Sequence, residues 1–131
     1  MLVCTPYTWR NLYKMYTKRY NNLSQLRDYW RDLEIYNQSI VIYTGDFEKV
    51  LSDNGLEGFE DAEAVTFKTD GKYCIAFRDN SSKTANIQAH EAVHLASYIY
   101  QDIGAFHDLK NQEPFAYLVG YIAELINSTR K

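Results

Sequence analysis

Asp70-Gly71 is a favoured pair for a tight two-residue β turn, because the central positions of such a turn require positive φ. It joins two runs, residues 64–69 (AVTFKT) and 72–77 (KYCIAF), rich in β-branched and aromatic residues. A hairpin with that composition excludes an all-helical chain. A lone hairpin is marginal in water, so its apolar face must be covered by other parts of the sequence.

Two amphipathic runs downstream are suited to that task. From about Thr84 to Asp102, Ala89, Val93, Ala96 and Tyr100 fall on one helical row, and Ala92, Leu95, Ile99 and Ile103 on its neighbour. Gly104 stands where a helix end favours a residue tolerant of positive φ. A last helix is expected over about Gln112 to Asn127, with Phe115, Leu118, Ile122, Leu125 and Ile126 facing inward. Pro114 suits its first turn, where an amide hydrogen would have no partner. Upstream, Ser39 to Tyr43 reads as a buried strand ended by Thr44-Gly45, and Asp46 to Leu51 as a short helix. Residues 53–63 carry five acids, two glycines and no base, which describes a solvated loop. Between Thr8 and about Glu34 apolar residues recur at steps of three and four, from Trp9 to Leu33, which argues for helix with a break at Asn21-Asn22.

The order of elements predicts an α+β fold: a compact domain with a small, mostly antiparallel sheet and a helix packed against a C-terminal helix. The 131 residues suit one domain, with 1–36 a helical N-terminal segment and 37–131 holding the sheet and later helices. The net charge of −3 gives no electrostatic reason to seek nucleic acid. That charge is split, with +3 over residues 1–36 and −6 beyond, and a solvated helix face accounts for the basic part. No apolar run is long enough for a bilayer, so no membrane association is expected. Cys4 and Cys74 form no CxxC or spaced framework and read as free thiols in a reducing compartment. With no basic-then-apolar leader at the start, the expected location is the cytoplasm.

His90-Glu91-Ala92-Val93-His94 is HExxH, a pattern associated with zinc proteases. Four residues make about one helical turn, so both imidazoles leave one face roughly 6 Å apart along the axis and can grip one ion. Glu91 is rotated off that row, where it can reach a water rather than the metal. A catalytic zinc site needs a third protein ligand and one open position. Glu113, in the opening turn of the last helix, is the favoured donor, with His107 and Asp108 in the connecting loop as competitors. Glu124 lies eleven residues further on, about 16 Å along the helix, too far to share the ion.

HEAVH, a helix–turn–helix of this length and then NQEPFAY resemble the gluzincins, the thermolysin-type zincins, and above all their very short phage- or prophage-encoded members. The likeness is specific over residues 87–122 and looser over 64–78. It implies a zincin-like fold in which a sheet edge lines a substrate groove, with His90, His94 and Glu113 as ligands of one zinc ion and Glu91 as general base. This sequence departs from that pattern in its supporting residues. Thermolysin-like enzymes place an Asp four residues after the Glu ligand; here that residue is Tyr117. Larger relatives take an oxyanion donor from a further domain; here Tyr98, Tyr117, His107 or a residue of the first helices would have to serve.

The resulting expectation is a zinc metallopeptidase acting on a peptide or protein, with an extended substrate paired along the strand at 73–78. The alternative is a zincin-fold metal-binding interaction protein with little or no catalysis, phage-encoded and acting on a host factor in the bacterial cytoplasm. Oligomeric state is not encoded in any of these features.

Overall fold

A computed structural model describes residues 29–33, 38–69 and 71–131. Strands β1 (Tyr29–Leu33), β2 (Gln38–Thr44), β3 (Ala64–Thr69) and β4 (Lys72–Phe77) form one sheet in the order β1-β2-β4-β3. β1 pairs antiparallel with β2, β2 parallel with β4, and β4 antiparallel with β3. The sheet is therefore mixed. Three helices complete the described fold: α1 (Phe47–Asp53), α2 (Ala85–Ile103) and α3 (Glu113–Ser128). The fold is α+β.

The hairpin forms where the turn chemistry places it. Thr69 pairs with Lys72, and Gly71 takes φ 70°, a backbone conformation that costs glycine nothing. β4 lies between two neighbours and is buried on both faces, with Tyr73 through Phe77 at 1% exposure or less. That explains its unbroken apolar run, since a strand covered on both sides has no solvent face to alternate with. On one face Ile40, Ile42, Tyr73, Ile75 and Phe77 meet α2 and α3. On the other Val41, Val65, Phe67, Cys74 and Ala76 pack with Phe47 and Leu51 of α1.

Both ends of α2 carry recognisable stops. The Thr84 side chain accepts from the Ile87 amide, filling a first-turn donor that has no helical partner. At the far end Gly104 has φ 71°; its amide bonds to Gln101 O, and the Ala105 amide to Tyr100 O. This is a Schellman arrangement, and it turns the chain sharply towards α3.

Three expectations need correction. The helical reading to Glu34 fails at its end, where Tyr29–Leu33 is a strand in register with Ile42–Gln38. Five residues are too few to separate a period of two from one of 3.6, and Tyr and Trp favour strands once a partner strand is available. The rest of that helical segment, residues 1–28 and 34–37, lies outside the described residues. Ala89 and Val93, placed on an inward row, are exposed, Val93 at 44%. The buried stripe is instead Gln88, Glu91, Ala92, Leu95, Ala96, Ile99 and Tyr100, rotated by one position. Finally, the strand at 73–78 cannot receive a peptide along its edge, because β4 is interior.

Candidate functional site

α2 packs along β3, an edge strand of the described sheet. One helical turn apart on its exposed side, the rings of His90 and His94 meet edge-on, with centroids 4.8 Å apart and Nε2 atoms 3.2 Å apart. Two nitrogens bound to one tetrahedral zinc at 2.0–2.1 Å would stand about 3.3 Å apart. The pair thus fits two adjacent corners of such a site. A hydrogen bond between one protonated and one bare ring nitrogen has similar length, so without metal the same geometry is still satisfied.

Glu91 is turned away from that row and is 6% exposed. Its Oε1 accepts a 2.7 Å hydrogen bond from the Thr66 hydroxyl on β3. Its Oε2 lies 3.8 Å from His90 Nε2. One carboxylate oxygen is therefore held from the sheet, while the other borders the His90 imidazole. The alternation of β3 explains the contact: Val65 and Phe67 are buried on the α1 side, which leaves Thr66 and Lys68 facing α2.

A second polar contact joins β3 and α2 further along. Asp102 accepts from Lys68 Nζ at 3.0 Å and from the Tyr73 hydroxyl at 2.8 Å. Burial works against the Asp102 charge, but these two donors and the lysine charge more than offset it and hold the carboxyl below its ordinary range. Lys68 also stands 5.2 Å from the ring centre of Tyr98, a half-buried residue one turn beyond His94.

The other proposed site residues are spread more widely. Glu113 begins α3 and is exposed; Tyr117, one turn on, is 54% exposed. His107 is exposed in the connecting loop and stacks on Phe115, with centroids 4.2 Å apart and planes 19° from parallel. Asp108 closes a local turn by accepting from the Lys110 amide. Among the described residues no three His, Cys, Asp or Glu side chains are grouped so as to hold an ion. The structure brings His90, His94 and Glu91 to one place and does not add Glu113, His107 or Asp108 to the pair.

The chain matches no model of a known protein family, no curated protein and no solved structure.

Thr66 is the residue that sequence reasoning missed. The period-two pattern of β3 was a signal for it, since Thr66 is the polar position that alternation sends to the same side as the covering helix. What the sequence could not supply is the register between β3 and α2.

Proposed function

We propose that this chain is a zinc-dependent peptidase of the zincin type, with Glu91 as general base. The observation that carries the reading is the pairing of two exposed imidazole nitrogens 3.2 Å apart with a buried carboxylate beside them. Burying a carboxylate costs folding free energy that the one hydrogen bond from Thr66 offsets only in part, and its position next to a potential metal pair gives that cost a use.

His90 and His94 would hold the ion, and Glu113 is the third donor that the family resemblance implies. When bound, zinc supplies Lewis acidity, making water a nucleophile near neutral pH and polarising a carbonyl. Glu91 takes the proton from the attacking water through Oε2 and delivers it to the leaving amine. The peptide pairs along β3, whose outer edge has no strand beside it among the described residues. Tyr98, on α2 one turn past His94, is an oxyanion candidate, with Tyr117 and His107 as competitors.

A metal-binding interaction protein with little catalysis is the second reading, favoured by the lack of a three-donor group among the described residues. Both readings require the ion. The purified protein should carry about one zinc per chain, and His94→Ala should release it. Glu113→Gln should weaken zinc binding without loss of fold. Full zinc occupancy in His94→Ala would remove the site; unchanged affinity in Glu113→Gln would leave the third donor elsewhere.

A further inference from the structure

We infer that Thr66 is a positioning residue for Glu91: its hydroxyl fixes one carboxylate oxygen so that the other stays turned to the His90–His94 pair. The effect on turnover rests on the peptidase reading; the orientation itself does not. An ionised carboxylate can only accept, so the 2.7 Å contact has Thr66 as donor and Glu91 Oε1 as acceptor. A donor to a charged oxygen makes a short, strong bond. Glu91 is 6% exposed, which leaves little room for water to replace the donor.

The bond restricts a torsion that is otherwise loose. The last torsion of a Glu side chain is broad and roughly two-fold, so an untied carboxylate would turn freely about it. With Oε1 tied to β3, Oε2 remains on the His90 side, 3.8 Å from Nε2. Thr66 itself is held by the sheet, in register with Ile75 of the interior strand. The anchor of the base thus belongs to the strand along which a peptide would pair, which fixes base and substrate to one backbone. A methyl in place of the hydroxyl keeps the shape and removes the donor, so Thr66→Val deletes this bond together with the hydroxyl's longer 3.4 Å contact to Glu91 O, and Thr66→Ser restores both.

The test uses zinc-loaded wild type, Thr66→Val, Thr66→Ser and Glu91→Gln, with two readouts: cleavage of a peptide library, and calorimetric affinity for acetohydroxamate. Acetohydroxamate chelates zinc and carries protons for which an adjacent carboxylate is the acceptor, so it reports the carboxylate's orientation without turnover. Thr66→Val should keep its zinc, lose roughly tenfold to a hundredfold in kcat with little change in KM, and bind the probe about as much more weakly. Thr66→Ser should recover most of both. Equal probe affinity in wild type and Thr66→Val would overturn the inference, as would equal losses in the Val and Ser variants, or a probe that fails to bind wild type. Should no protein cleave peptide while the probe still separates Val from Ser, the peptidase reading fails and the positioning role stands.

Discussion

The first half of α2 buries Gln88 and Glu91 beside Ala92, whereas the second half buries no charged or amide side chain on the same side of the helix. From Leu95 onward the buried positions are Leu95, Ala96, Ile99 and Tyr100, an ordinary core stripe. Among the described residues, all four buried polar or charged side chains fall between Ser82 and Glu91, the approach to α2 and its first half. Three of them clamp chain to chain. Ser82 donates to Glu63, Lys83 Nζ donates to Thr129 O and Oγ1, and Gln88 Nε2 donates to Lys83 O and Asn127 Oδ1. Glu91 is the exception. It is tied to the sheet through Thr66, and its other carboxylate oxygen borders the exposed imidazole of His90, which no clamp requires. The comparison separates polar burial that closes the fold from polar burial that sets a carboxylate beside an exposed imidazole.

The widest break between the halves should come from Glu91→Gln. Gln keeps an oxygen that accepts from Thr66, so stability and zinc content should stay close to wild type. It cannot take a proton at neutral pH, and that role is typically worth ~10²–10⁴ in rate. Peptide cleavage should fall by that factor. Loss of zinc in this variant would make Glu91 a ligand instead of a base, and unaltered biological activity would favour the interaction-protein reading.

The opposite signature belongs to Leu95, which is fully buried one residue past His94. Leu95→Ala should cost about 2–5 kcal/mol of stability by removing packed methyl groups and leaving a cavity. Below the melting transition, zinc binding should persist, because the imidazoles lie on the opposite, exposed side. Denaturant unfolding followed by zinc titration at low temperature measures both.

A pH experiment tests the clamp. Burial, aided by the charge of Lys131, lowers the Lys83 amine from its ordinary 10.5 to about 8. The folded chain holds this proton less tightly than the unfolded one, so unfolding takes up a proton between those values. Stability contributed at Lys83 should therefore rise as pH increases from about 8 towards 10.5. Lys83→Met should lack that rise. Equal slopes for the two proteins across that window would show that the amine titrates normally despite its 1% exposure.

How much of this was legible in the sequence depended on whether the signal was local. The hairpin turn, the Thr84 and Gly104 ends of α2 and the His90–His94 spacing depend on residues a few positions apart, and the structure has each of them. The strand at Tyr29–Leu33 depends on pairing with β2, and the interior place of β4 on a parallel crossover from β2. Neither partner is visible in the segment itself. The Thr66–Glu91 bond spans 25 residues and two elements, so its donor was hidden although the carboxylate was not.

Val93 offers the smallest expected effect and a sharp check on where α2 changes character. Read by period alone, it belongs with Ala96 and Tyr100 on an inward row, and replacing it by Ser would remove buried methyl groups. That would cost on the order of 1–3 kcal/mol, the range for losing a fully buried side chain of its size. In the structure the row is rotated: Ala92 and Ala96 are buried, and Val93 is 44% exposed between two exposed histidines. On the exposed side, Val93→Ser should change stability by no more than about 0.5 kcal/mol, the usual range for surface substitutions. It should leave zinc binding intact, because the imidazole pair is set by the helix backbone and not by the residue between. A loss of more than about 1 kcal/mol would mean that another surface covers Val93 and that the exposed side of the HExxH turn is not open. A neutral result would confirm that the same turn which buries Glu91 against the sheet presents both histidines outward.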